Sequence, residues 1–307
     1  MLTVLLTSSR VAPGLLSWEA WAALREAFRV LAPSSGHPQV PALTAAGIEV
    51  APGSFPEAAG VAAEGKRAVW LAPPDSDPAE FSDLRVLRGS SDLPGAHLID
   101  TVAVMDTLRV SCPWDAKQTH SSLLRYLLEE AYEAAEAIET SDFPSLREEL
   151  GDVLLQVLFH ARVASERPDD EGGFTIDDVA DVLTAKLRRR HPHVFGSVSV
   201  SSADDVNRNW EEIKQAERAS ASETGSVSVL DGVAFGQPAL SLAAQLRRRA
   251  ERAGFPLGGR GDGDGEVGEE LMALVARARE AGVDPELELR QTARRFAHRV
   301  REWEQSR

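Results

Sequence analysis

At 307 residues and 33.2 kDa the chain exceeds one ordinary domain, so two or three folding units are expected. Its 43% hydrophobic and 26% charged residues exclude a disordered polypeptide. The 48 acidic residues outnumber the 33 basic ones, a net charge of −15, which excludes a nucleic-acid-coating surface and suits a protein that gathers cations.

The excess is concentrated in the middle third, where residues 106–220 carry 23 acidic against 13 basic side chains. Cys112 is the sole cysteine, so no internal disulfide forms, which fits a cytoplasmic setting. The opening apolar run ends at Leu6, too short for a secretory core. No stretch approaches the roughly 20 apolar residues of a membrane span.

Residues 1–99 read as a small α/β domain. Leu2–Leu6 is a buried-strand signal, and Trp18–Leu31 has helical spacing with Trp21, Leu24, Phe28 and Leu31 on one side. Gly47–Val50 and Ala68–Ala72 read as further strands, bounded by Pro or Gly. From about Asp100 helical periodicity takes over, and 100–218 reads as an all-α bundle. The Ser- and Ala-rich stretch from Arg218, within 219–235, has little to bury and reads as a linker. Residues 236–307 are helical again, interrupted by the glycine-rich Gly258–Gly265. The fold class expected is therefore mainly α, with a small α/β domain at the N-terminus.

The densest chemistry lies in two consecutive helices. In Leu123–Glu139 an apolar stripe (Leu124, Leu127, Leu128, Ala131, Ala135, Ile138) runs beside Glu130 and Glu133, three apart and hence neighbours on one face. In Leu146–His160 a polar stripe of Glu149, Asp152, Gln156 and His160 is flanked by Leu150, Val153, Leu154, Val157 and Leu158. A helix this apolar is expected to be mostly buried. Between the two, Ser141 or Asp142 can cap the second helix and Pro144 suits its first turn, which makes an αα-hairpin. Glu133 precedes Thr140 by seven residues and Glu149 follows Asp142 by seven, so both acidic pairs sit at one depth, roughly 10 Å from the turn. Either pair alone would pass for a solvated surface. Together, level across a hairpin, they repel unless a hard divalent cation offsets the charge, and oxygen-only ligands favour Mg2+ or Mn2+ over zinc.

Lys186–Phe195 (KLRRRHPHVF) ends a helix at Pro192. A basic last turn follows from the helix dipole, and it also suits a phosphate clamp. The His191-Pro192-His193 triplet favours a structural role over metal binding. Trp210 and Lys214, one turn apart, offer an aromatic face and a cation, or a packed ring and a solvated lysine. Before the hairpin, Trp114 in Cys112-Pro113-Trp114-Asp115 suits a hydrophobic anchor, and the polar groups of this segment, with Gln118-Thr119-His120, suit contact with a base or ribose.

Five stretches, CPWD with QTH, LEEAYE, EELGDVL, KLRRRHPHVFG and WEEIK, resemble the MazG family of nucleoside triphosphate pyrophosphohydrolases across roughly 100–218. The resemblance implies an all-α fold and Mg2+-dependent cleavage of a nucleoside triphosphate between the α- and β-phosphates, giving NMP and pyrophosphate. It implies Glu130, Glu133, Glu149 and Asp152 as metal ligands, with Glu129 helping to orient water. Lys186, Arg190 and Lys214 then hold the triphosphate and Trp210 lines the nucleotide pocket. One hairpin leaves its apolar rows half covered, so a homodimer is expected, as in the family.

The segment from Glu149 to Leu155 recurs as Glu266-Val267-Gly268-Glu269-Glu270-Leu271-Met272, so 236–307 resembles a second MazG unit. Its EExxE helix is absent, the glycine-rich run stands in that place, and the copy is expected to be catalytically dead. Residues 1–95 resemble the first half of a tetrapyrrole methylase domain, with the glycine-rich turn replaced by Thr7-Ser8-Ser9-Arg10. Two other readings compete. A di-iron bundle requires Glu-x-x-His pairs, whereas this hairpin has Glu-x-x-Glu and Glu-x-x-Asp. A non-catalytic regulatory or scaffold protein is suggested by the flanking regions and opposed by the complete set in 112–214.

Overall fold

The computed structural model describes residues 1–221, 228–255 and 266–305. Residues 222–227 of the linker expected over 219–235, and the glycine-rich Gly258–Gly265, lie outside the described residues. The chain forms two compact units, Met1–Val182 and Leu183–Arg307.

The first unit opens with alternating strands and helices. These are β1 (Leu2–Leu6), α1 (Trp18–Glu26), β2 (Arg29–Ala32), α2 (Val40–Ala45), β3 (Val50–Pro52), α3 (Phe55–Ala63), β4 (Ala68–Leu71) and β5 (Arg85–Arg88). The five strands form one parallel sheet in the order β3-β2-β4-β1-β5. Alternate side chains leave opposite faces, and both faces are buried. Leu5, Val30, Val69 and Leu71 pack with Leu24 and Leu43 on one side. Val4, Leu6, Leu31 and Trp70 pack with Ala58 and Phe55 on the other.

Two boundaries differ from the sequence expectation. The helix expected over Trp18–Leu31 stops at Glu26, Ala27 turns extended, and Leu31 lies in β2. The run Val30-Leu31-Ala32 is buried on both faces of a central strand, which outweighs its accidental helical spacing from Trp21. The third strand begins at Val50 and not at Gly47, because Gly47, at φ +80°, ends the turn after α2.

The helical part of this unit comprises α4 (His97–Ser111), α5 (His120–Thr140), α6 (Phe143–Ala164) and the start of α7 (Ile176–Arg190). Met105, Leu123, Leu158 and Phe159 form its buried centre, with Ile176 against it. The turn at Thr7–Arg10 fastens sheet to helices. Arg10 Nε meets both carboxylate oxygens of Asp100 on α4 at 2.9 and 3.0 Å, and its Nη1 meets Asp92 at 2.7 Å. Ser8 donates to Asp92, and Ser9 to Asp75. The turn is thus a charged knot of one arginine among three aspartates.

The second unit contains the rest of α7, α8 (Pro192–Phe195), α9 (Ala203–Ala221), α10 (Ala239–Arg252), α11 (Glu266–Glu280) and α12 (Pro285–Gln305). Helix α9 continues past Arg218, where a linker is expected, because Ala219 and Ala221 favour helix. Helices α10, α11 and α12 pack on one another, with Val275 buried. The glycine-rich run therefore does not stand alone before α11. Helix α10 packs on α11 as α4 packs on α6, and the stretch 256–265 between α10 and α11 is shorter than the 21-residue α5.

Candidate active site

The α5–α6 hairpin is made by its turn. Ser141 takes the left-handed conformation, φ 57°, and ends α5. Asp142 caps α6 by accepting from the Ser145 amide at 3.2 Å, with Pro144 in the first turn. At the start of α5, Thr119 and Ser122 form reciprocal caps at 2.9 and 3.2 Å. These local signals fix the register that sets Glu133 level with Glu149.

Carboxylate oxygens of Glu130, Glu133 and Glu149 lie within 4.8 Å of one another, and this is the one such acidic or His/Cys group among the described residues. Asp152 falls outside that trio, yet its charge bears on both Glu130 and Glu149. Burial first, then Asp152 and Glu133, push the Glu130 carboxyl above its ordinary value. Burial first, then Glu133 and Asp152, do the same to Glu149. Oxygen donors that repel and hold protons when alone are the chemistry a hard divalent cation satisfies. Glu129 is exposed beside the trio.

The burial expected for the hairpin is only partly realised. Leu123, Ala134 and Ala137 are buried on α5, while Leu124, Leu128 and Ile138 are about half exposed (53%, 50% and 60%). On α6, Leu158 and Phe159 are buried but Leu150, Leu155 and Val157 are exposed. One hairpin with α4 does not supply enough surface to cover both rows.

Trp114, half exposed, packs edge-on against Tyr126 at 5.9 Å and Phe159 at 6.3 Å. Past Asp152 on α6, Gln156 is buried, and His160 Nδ1 meets His120 Nδ1 at 2.8 Å with the rings stacked.

The basic and aromatic residues belong to the second unit. Arg190 donates through Nη2 to Glu217 at 2.7 Å, and Arg189 through Nε at 2.6 Å. The two guanidinium groups hold the Glu217 carboxyl down at about 2. Trp210 takes His191 edge-on at 4.7 Å, with Arg190 at 5.8 Å and Lys214 at 5.7 Å from its ring centre. His191 Nδ1 meets the Leu187 carbonyl at 2.7 Å, a structural contact. Lys186 is half-buried on α7. Glu217 was not singled out by motif, although Trp210, Lys214 and Glu217 share one face of α9 at i, i+4 and i+7.

Residues 118–195 match the MazG nucleotide pyrophosphohydrolase domain. The chain is 48% identical over 223 residues to an uncharacterised 26.1 kDa protein of Streptomyces cacaoi, covering 73% of this chain and 89% of that one. A nucleoside triphosphate pyrophosphohydrolase of Mycolicibacterium smegmatis is 43% identical over 72% of this chain, which spans only 63% of that relative. The nucleoside triphosphate pyrophosphohydrolase/pyrophosphatase MazG of Thermotoga maritima is 39% identical, covering 67% of this chain and 85% of that protein. Fold, site and relatives together define a mainly helical hydrolase of acid anhydrides. The chain belongs to the MazG family of nucleotide pyrophosphohydrolases. No described helix is long and apolar enough to cross a membrane.

Proposed function

We propose that this chain hydrolyses nucleoside triphosphates, ribo- or deoxyribo-, at the α–β phosphate bond to NMP and pyrophosphate, as nucleotide-pool housekeeping in the cytoplasm. The observation that carries the reading is the trio of Glu130, Glu133 and Glu149, gathered within 4.8 Å across one hairpin. Together with Asp152 they fit Mg2+, with Mn2+ as a substitute. Bound there, the ion supplies charge neutralisation on the phosphates and lowers the pKa of water.

The chain's own residues do the rest. Glu129 orients the attacking water. Lys186, Arg190 and Lys214 bind the triphosphate, and Trp210 and Trp114 flank the nucleotide. Arg190 is pre-aligned by Glu217, which restricts its rotamers before substrate arrives. The catalytic domain spans 100–218, with 1–99, 219–235 and 236–307 as α/β domain, linker and degenerate second unit. The acidic balance disfavours a nucleic-acid partner, and the exposed apolar rows of α5 and α6 suit a homodimer. The scaffold alternative, suggested by the flanking regions, is not favoured by the MazG match or by the relatives named as pyrophosphohydrolases.

The test is pyrophosphate release over a panel of NTPs and dNTPs with Mg2+, in the presence and absence of chelator. Equimolar NMP and pyrophosphate are expected. Release of NDP and orthophosphate, or full activity in excess chelator, contradicts the reading.

A further inference from the structure

The polar stripe of α6 does not end at the carboxylates. Gln156 follows Asp152 by one helical turn on the same side, and His160 follows Gln156 by another. Gln156 is 4% exposed, and its Oε1 has no hydrogen-bond partner. His160 Nε2 is also buried without a partner, while Nδ1 is taken by His120 at 2.8 Å. Native chains rarely bury polar atoms unsatisfied, because desolvation is not returned; where two occur in a row beside a reactive centre, something else completes them.

We propose that Gln156 is a specificity-determining residue that reads the uncharged nucleoside end of the substrate, with His160 beyond it. The inference rests on the triphosphate reading above. With the phosphates at Glu130, Glu133, Glu149 and Asp152, Gln156 stands about 6 Å and His160 about 12 Å further along α6. A nucleoside attached to the α-phosphate is long enough to reach one to two helical turns. Burial and His120 hold His160 below its ordinary imidazole range, so near neutral pH it is uncharged, like the Gln156 amide. Neutral donors and acceptors suit base edges and sugar hydroxyls, whereas phosphates call for cations. Half-exposed Trp114, resting on Tyr126 and Phe159, offers an aromatic face at the His160 level.

The test uses the full chain with Mg2+. Wild type and Gln156→Met, similar in volume but without the amide, are assayed against four NTPs and four dNTPs. The ratio of kcat/KM between best and worst substrates is expected to change by about tenfold, the worth of one hydrogen bond, through KM more than kcat. A change across bases assigns the residue to the base, and one between NTP and dNTP assigns it to the sugar. Calorimetry runs in parallel. Gln156→Met should weaken nucleoside monophosphate binding about tenfold and leave pyrophosphate binding unchanged. Gln156→Asn, which keeps an amide on a shorter arm, should show the same shifts if the methionine variant does not fold. Unchanged substrate ratios with unchanged monophosphate affinity overturn the proposal, and mean that a bound water completes these groups. If wild type cleaves no triphosphate, the functional reading fails, and the monophosphate arm still decides this one.

Discussion

Glu133 on α5 and Glu149 on α6, sixteen residues apart in sequence, bring carboxylate oxygens to within 4.8 Å of each other across the hairpin turn. Burial and the facing Glu133 push the Glu149 carboxyl up, so the fold holds like charges close together when no cation is bound.

Neutralising the site should separate stability from activity. Asp152→Ala or Glu149→Gln is expected to lower pyrophosphate release by about a hundredfold or more, since each removes a group acting on the reacting charge. Either change relieves repulsion, so the chelated variant should melt above chelated wild type. Differential scanning fluorimetry beside the release assay checks both. A variant that loses activity together with several degrees of melting temperature contradicts the assignment.

Stability of the metal-free protein should also depend on pH with a defined sign. The folded values of Glu130 and Glu149 are raised, so the native state binds more protons than the unfolded chain. Their stabilising contribution is full below the ordinary glutamate value near 4.5 and is lost as pH rises through the raised values. Glu217 and Asp205, held at about 2, act the opposite way, and their contribution is lost only as pH falls below the ordinary carboxylate range. Chelated protein should thus melt higher at mildly acidic pH than at neutral pH, then lose stability in stronger acid. A Glu130→Gln/Glu149→Gln double variant should lose the mildly acidic maximum. A melting temperature that climbs steadily from mildly acidic to neutral pH in chelated wild type rules this out.

The exposed rows give a prediction about assembly. Leu124, Leu128, Ile138 and Leu150 are each half exposed or more on the hairpin. Light scattering at micromolar concentration is expected to show a homodimer. Leu128→Glu should shift it to the 33.2 kDa monomer, because burying an unpaired carboxylate in an apolar interface is costly. Monomer alone for wild type counts against the expectation.

The hairpin was legible because its signals are local. Asp142 and Pro144 mark the entry to α6, and equal spacing from the turn aligns Glu133 with Glu149. Strands β2 and β5 were not legible. Arg29–Ala32 follows α1 with no turn residue between, so its apolar residues extend the helical spacing, and only pairing with β3 and β4 makes them a strand. Burial on α5 and α6 was overestimated for a related reason, since periodicity shows which residues share a face and not whether a partner covers it. The knot around Arg10 depends on Asp75, Asp92 and Asp100, distant positions joined by the sheet, and no spacing rule connects them.

The last prediction distinguishes the two helical copies. Glu269→Ala in the full chain should leave turnover within about twofold of wild type, the size of an ordinary surface substitution, and a fragment of about 100–220 should retain the chemistry. The two helical regions differ in what faces the acidic helix. In the first copy α6 meets α5, which brings two glutamates to the shared side. In the second, α11 packs on α10 and α12, and Arg279 of α11 takes up Glu251 of α10 in an ion pair at 2.8 Å. Glu269 is exposed and belongs to no group of three or more potential metal ligands among the described residues. A single exposed carboxylate binds Mg2+ poorly, because the ion gives up its waters reluctantly. What α11 does offer is Val275, 1% exposed, at the centre of the α10–α12 packing, which is a stabilising role. Val275→Ala should therefore lower the melting temperature while sparing kcat, the reverse of Asp152→Ala. A folded Glu269→Ala protein with a hundredfold lower turnover would show that the second copy contributes to catalysis.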